Sequence, residues 1–275
     1  QGIKMTKNLL QSVMIKSVSN KNNILDSDAL IEKIKSGYVI NRGPKFQTKK
    51  TFAPSTIAYS HGECPRYWYL AFDGATFEDN ADAYGAANMT AGTLSHGRIQ
   101  EAMMNAGVAK IFKDDDNQPT TEFKIRYDDP PIFGYGDAMI EWEGEDIVGE
   151  IKTMLNEGFE YRKNSMKPKL GHLIQLLIYM KILGKKKGVL IYENKNNHEL
   201  LVLPVQVDDY YRQWIDNTFQ WMRDVRKAWV DRTLPTKNYR SNSKVCKTCP
   251  IQQACADAGT GVIKLKSLEG LSETM

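Results

Sequence analysis

The sequence predicts an α/β protein built on a mixed β-sheet of about five strands flanked by helices. Three observations carry that expectation. Residues 121–127, 132–142 and 147–153 alternate apolar and polar side chains, the period of half-buried strands. A second strand pair, Gly188–Tyr192 and Glu199–Val205, brackets a polar turn at Asn194–Asn197. Helical patterns at 170–183 and 207–229 fall between and after these strands, so the two kinds of element mix along the chain.

Gln1-Gly2 before Met5 looks like the scar of a cleaved tag and is set aside. Residues 1–53 form a basic extension rich in Lys, Asn and Ser, with a short helix expected at Asp26–Ile34 behind an Asp or Ser cap. Residues 41–50 read as an exposed basic loop. Pro54-Ser55 opens a helical pattern through Ile57, Tyr67, Tyr69 and Leu70, and residues 78–90 read as a loop. Leu94, Ile99 and Met103 mark a helix at Thr93–Asn105, with Gly107 just past its end. Glu143-Gly144-Glu145 is the turn of a hairpin, and Gly184 ends the apolar helix 170–183. Trp214, Phe219, Trp221 and Trp229 lie on the long helix 207–229. A cysteine-bearing loop region closes the domain 54–258, and 259–275 is a C-terminal tail.

Composition is that of a soluble globular chain: 275 residues, 41% apolar and 25% charged. No apolar run approaches the ~18 residues of a membrane span. The first thirty residues carry no secretory h-region, so the expected location is the cytoplasm, a reducing compartment, with no membrane partner. A small free-standing protein of this kind would suit a phage or mobile element in a bacterial host. The net charge is only +4, but residues 161–187 hold eight Lys/Arg and no Asp or Glu, and residues 212–247 hold nine basic residues against three acids. Local basic stretches on a near-neutral chain fit either a polyanion met on one face or a solvated helix surface.

The chemistry-bearing pattern is Asp137 on one strand and Glu150-Ile151-Lys152 on the next. Period-2 geometry puts Glu150 and Lys152 on one face, and a hairpin brings Asp137 near it. Two carboxylates can hold Mg²⁺ or Mn²⁺ through oxygen ligands, and a lysine can stabilise charge at a phosphate. His96 precedes the strands on a helix; Gln175 and Tyr179 follow them, four residues apart on one helix face. Each piece alone is common, but their order is rare.

That order resembles the PD-(D/E)XK nuclease superfamily, in its RecB-like exonuclease branch, and the resemblance runs from about Pro54 to Cys255. It implies a restriction-endonuclease-like core. It also implies metal ligands at His96, Asp137 and Glu150, with the Ile151 carbonyl as a further oxygen. Lys152 would be the catalytic lysine, and Gln175 and Tyr179 the pair that helps place the DNA strand. Gly136 stands where the family usually has Pro.

Cys64 stands alone; Cys246, Cys249 and Cys255 form C-x2-C-x5-C. The spacing suggests a soft-metal site, zinc or iron–sulfur, with two disulfides as the competing reading. Here too the resemblance implies the choice: a 4Fe–4S cluster clasping the ends of the nuclease domain, as in CRISPR-associated RecB-like nucleases and helicase–nuclease subunits. The function implied is a divalent-metal-dependent DNA exonuclease acting on single-stranded or frayed ends, in recombination, repair or replication. Arg162, Lys163, Lys167 and Lys169 would follow the phosphate backbone. No G-x-x-x-x-G-K-[ST] segment is present, so any motor would be a separate helicase or recombination protein. The alternatives are a catalytically silent DNA-binding or adaptor subunit, and a zinc-stabilised endonuclease.

Overall fold

The computed structural model describes residues 25–42, 45–46 and 48–272. The chain divides into two compact units, residues 1–43 with 81–90, and residues 44–80 with 91–275.

In the first unit, helix α1 (Ser27–Val39) starts where Asp26 accepts hydrogen bonds from the backbone N–H groups of Asp28 and Ala29. That is the N-cap the sequence pattern calls for. The helix runs five residues beyond Ile34. No residue of α1 is buried, and the Lys35 ammonium lies 5.1 Å from the centre of the Tyr84 ring.

The second unit begins with strand β1 (Lys45–Phe46), helix α2 (Pro54–Ile57), a 3₁₀ turn at Ser60–Glu63, and helix α3 (Pro65–Phe72). Every residue of α3 is buried. Its Trp68 and Phe72 pack on Phe52 at ring-centre distances of 4.8 and 5.0 Å, the kind of tilted and edge-on contacts aromatic quadrupoles favour. Strand β2 (Thr76–Phe77) pairs with β1. Helix α4 spans Ala83–Asn105, so half of the expected 78–90 loop is helical; its Ala residues favour helix despite the polar small residues between them. A short hairpin, β3 (Phe112–Lys113) and β4 (Pro119–Thr120), follows.

The expected strand 132–142 is two strands. β5 (Phe123–Tyr127) pairs with β6 (Ile132–Gly136), whereas β7 (Ala138–Trp142) pairs with β8 (Glu145–Met154), and the change of partner falls at Asp137. Gly136 is required at this point: a Cβ there would sit 2.2 Å from the Phe123 ring. The main sheet therefore has four strands, ordered β10-β9-β8-β7, and β5–β6 stands as a separate hairpin; this corrects the single sheet of about five strands.

From β8 the chain crosses through helices α5 (Asn156–Ser165) and α6 (Leu170–Leu183) to β9 (Lys187–Asn194), which lies parallel to β8. A parallel neighbour needs such a crossover. α6 buries every residue from Leu173 to Met180 and stops at Gly184, whose φ of 65° suits glycine. β10 (Leu200–Gln206) returns antiparallel to β9. Helix α7 (Asp209–Val230), capped by Asp208, buries Trp214, Phe219, Trp221 and Val225 at helical spacing and packs on α3. Short helices α8 (Lys244–Lys247), α9 (Gln252–Asp257) and α10 (Leu268–Ser272) complete the fold, the first two inside the expected loop 237–258. No helix among the described residues is long and apolar enough to cross a membrane.

Candidate active site

Asp137, Glu150 and Lys152 come together because the chain changes strand partner at Asp137, beside β8. The last β7–β8 pair is Ala138↔Gly149. One residue earlier, the Asp137 side chain reaches β8 instead of continuing the ladder, and its Oδ2 accepts the Ile151 N–H at 2.7 Å. Its own carbonyl is held by Thr121 Oγ1 at 2.7 Å and Gln100 Nε2 at 3.1 Å. The carboxylate is thus fixed by a backbone N–H, and the backbone behind it by two side chains.

Glu150 is 1% exposed, with Ile151 fully buried on the opposite face of the strand. Lys152, two residues on, puts its Nζ 2.7 Å from Glu150 Oε1. Glu150 Oε2 is buried without a hydrogen-bond partner. Burial, with the Asp137 charge beside it, pushes the Glu150 carboxyl up to about 8 against the pull of Lys152. Burial alone would lower the Lys152 ammonium, but Glu150 and Asp137 outweigh it and hold it above its ordinary value. With both carboxyls ionised the site would carry more negative charge than its one lysine offsets, so Glu150 holds its proton until further positive charge enters.

Helix α6 supplies the next layer. Gln175 Nε2 donates to Tyr179 Oη at 3.0 Å, and Tyr179 Oη donates to the Tyr135 carbonyl at 2.8 Å. Gln175 Oε1 is buried and unpartnered, like Glu150 Oε2. Burial and the Glu150 charge raise Tyr179 well above the usual phenol range, so it stays a donor. Tyr179 thus lies near enough to Glu150 and Asp137 to feel their charge, and Gln175 is tied to it. His96 lies on α4 with its Nδ1 3.6 Å from Asp137 Oδ1.

The four expected phosphate-contact residues separate. Lys163 Nζ is 2.5 Å from Glu199 Oε1, so a carboxylate compensates its charge. Burial lowers Lys169, helped by the positive charges of Lys244, Arg162 and Lys152. Arg162, Lys169 and Lys244 thus share one positive neighbourhood with Lys152. Lys167 follows Met166, which ends α5 in the left-handed conformation. The sequence reading missed His172 and Tyr192. Tyr192 Oη accepts the Lys169 N–H at 3.1 Å and sits 3.1 Å from His172 Nδ1. A hydroxyl oxygen has two lone pairs, so after accepting from Lys169 Tyr192 can donate to His172 Nδ1 or accept from it, according to the ring's tautomer. His172 follows Leu170-Gly171 at the start of an apolar helix, and a polar ring in that place was the available signal.

The cysteines meet as well, but not as a metal site. Cys64, Cys246, Cys249 and Cys255 line one cavity of about 300 Å³ and are free thiols. Among the described residues, no group of three or more His, Cys, Asp or Glu side chains is arranged to hold a metal ion. This overturns the 4Fe–4S cluster, the four-cysteine clasp in the fold, the zinc alternative, and the placement in the iron–sulfur RecB-like branch. The surroundings give the reason. Burial pushes the Cys64 thiol up to about 11 and the Cys249 thiol up to about 12, favouring S–H over the thiolate that metals need. Arg66, 1% exposed, brings the positive charge: its Nε donates to Cys255 Sγ at 3.1 Å, and its other nitrogens donate to the carbonyls of Pro235, Cys255 and Gly259 at 2.6–2.9 Å. The same finding corrects the Mg²⁺ or Mn²⁺ expectation: His96, Asp137 and Glu150 are not a preassembled three-ligand set, with one Asp137 oxygen engaged by the Ile151 N–H and one Glu150 oxygen by Lys152.

No family model matches the chain, and no curated protein matches it. Solved structures similar to it include these three. An alkaline exonuclease, LHK-Exo from Laribacter hongkongensis, is 15% identical, with 66% of this chain and 91% of that chain covered at a TM-score of 0.46. The same exonuclease in complex with dAMP is 14% identical, with 66% and 89% covered at 0.47. SSO0001 is 16% identical, with 85% and 97% covered at 0.43. The likeness to an exonuclease is remote, and no residue role is taken from it.

Proposed function

We propose that the Asp137–Glu150–Lys152 site hydrolyses phosphodiester bonds of DNA at strand ends, in a reaction that depends on a divalent cation. The observation that supports this is the buried Glu150 carboxylate, paired with Lys152 at 2.7 Å and repelled by the anchored Asp137, with one oxygen left unpartnered. To ionise both carboxyls, such an arrangement needs further positive charge. A cation of the oxygen-loving class is often held by one or two carboxylates together with the substrate's phosphate, so no third protein ligand is needed. Held between Asp137 and Glu150, it would supply charge at the scissile phosphate and make water a better nucleophile.

The rest of the chemistry falls to the chain itself. Lys152, kept charged by its carboxylate neighbours, stabilises the negative charge that builds on the phosphate oxygens. Tyr179 and Gln175 fix the floor of the site by hydrogen bonds to β6 and to each other. Arg162 and Lys169 offer positive charge to the phosphates of the incoming strand, which makes binding salt-dependent.

The test is digestion of end-labelled single- and double-stranded DNA with divalent cation supplied. Products should shorten from an end, chelation should stop the reaction, and Lys152→Ala should be inactive. Absence of cleavage on every DNA substrate by the wild-type chain overturns the reading.

A further inference from the structure

We propose that Tyr59 is the base-stacking residue that seats the terminal nucleotide of a DNA strand beside the Asp137–Glu150–Lys152 site, an inference that rests on the phosphodiester reading above. Tyr59 is 61% exposed, yet its surroundings are rigid. Its ring stacks on His61 at 5.9 Å with only 3° between the planes, and His61 in turn meets the buried Tyr67 at 4.8 Å. The backbone on either side is packed to contact. A Cβ on Gly171 would lie 2.4 Å from the Ala58 carbonyl oxygen, and one on Gly62 would lie 1.9 Å from that of Thr56. The tight approach of Gly171 fixes the Tyr59 segment against the start of α6, where Lys169 and His172 stand.

Position adds to rigidity. The Tyr59 phenol is close enough to act on the Lys152 ammonium, and α8, which carries Lys244, packs on the 3₁₀ turn that follows Tyr59. The Tyr59 segment therefore lies beside Lys152 and packs against the elements that carry Lys169 and Lys244. Exposed aromatic side chains are ordinary, and Tyr161 is another near this face, but Arg162 covers the Tyr161 ring at 4.8 Å. Tyr59 has an aromatic behind it and solvent in front. Burial and the nearby Lys49 charge push the His61 pKa down to about 4, so it backs Tyr59 as a neutral ring. A fixed aromatic face beside a positive groove is how single strands are held, since every base has a π-face and every link a phosphate. A base inside a duplex already stacks on both sides, so the site favours an unstacked end.

Binding is measured on the Lys152→Ala protein, which leaves the DNA uncut, with a single-stranded oligonucleotide ending in 2-aminopurine. Stacking should quench its fluorescence. Tyr59→Leu should abolish the quench and weaken affinity about fivefold or more, whereas Tyr59→Phe should keep both. An oligonucleotide with an abasic end should bind both proteins alike. Equal affinity and equal quenching with Tyr59→Leu overturn the proposal. Failure of the hydrolytic reading is seen separately, with Lys152 intact. DNA cleavage alongside Tyr59-independent binding overturns the stacking role alone. Tyr59-dependent quenching without cleavage supports the stacking role and overturns the hydrolytic reading.

Discussion

Glu150 is a buried acid and Cys64 a half-buried one, and burial raises both above their ordinary pKa values. Their neighbours differ. Around Glu150 stand a second carboxylate, one lysine, and two buried oxygens with no hydrogen-bond partner. Around Cys64 stand three more thiols and an arginine with four hydrogen bonds to sulfur and carbonyl oxygen. The first region is left short of donors and, once both carboxyls ionise, of positive charge; in the second, Arg66 meets the carbonyls and the Cys255 sulfur from within the fold, although His61 Nδ1 there stands without a partner. Buried polar groups that go unsatisfied cost stability, and persist where something outside the fold completes them. Completed ones act as structure.

The largest effect that would sharpen this contrast is on turnover. Lys152→Ala should lower DNA cleavage by ~10² or more, because it removes the chain's own charge at the phosphate. Its thermal unfolding should stay close to wild type. Cys249→Ala should cleave within a few-fold of wild type. A cysteine variant as inactive as Lys152→Ala, at equal stability, would break the contrast and make the cavity part of the reaction.

The next effect is on stability, and it falls on the other region. Arg66→Met leaves the carbonyls of Pro235, Cys255 and Gly259 without their donor inside the fold. Charged hydrogen bonds lost to buried acceptors should cost about 3 kcal/mol or more in urea unfolding. Cys255→Ala removes one weak acceptor and a small side chain, and should cost about 1 kcal/mol. If instead the cysteine variant is the more damaging, the thiols and not the guanidinium hold the C-terminal segment.

These two regions were legible in the sequence to different depths. Glu150 and Lys152 follow from strand period alone, since residues two apart share a face. That Asp137 joins them was readable, but the break at Asp137 was not. The segments on either side both alternate, and a change of strand partner leaves no trace in alternation. The meeting of Cys64 with Cys246, Cys249 and Cys255 was readable too. What lies among them was not, because spacing reports proximity and says nothing of protonation. Arg66 is the residue that decides, and a charged side chain inside an aromatic stretch carries no periodic signal of burial. Helix α5 escaped for a related reason: Phe159 is its only buried residue, so it has no apolar stripe.

The smallest effect compares one histidine from each region as pH falls. His172 belongs to the carboxylate region, and burial, with Lys152, Lys169 and Arg162, pushes its pKa down to about 2. His61 lines the cysteine cavity, with its pKa at about 4. An unfolded histidine titrates near 6.5. Both folded values lie below that, so the unfolded chain takes up these protons first. The stability each neutral ring contributes is complete above pH ~6.5 and is lost as pH falls, by at most about 1.4 kcal/mol per pH unit for each ring. For His61 the loss should level off near pH 4; for His172 it should continue below. The costs also differ in kind. Protonating His172 fixes Nδ1 as a donor to Tyr192 Oη, which already accepts the Lys169 N–H, so the Tyr192 proton must turn away from the ring. Protonating His61 breaks no such bond, because its Nδ1 is buried without a partner. His172→Gln and His61→Phe should each flatten the fall in unfolding free energy between pH 6.5 and 4.5, and together they should flatten it further. A pH profile unchanged by His172→Gln would mean that the ring titrates alike in the folded and unfolded chain, and that its burial beside Lys152 and Lys169 does not hold it neutral.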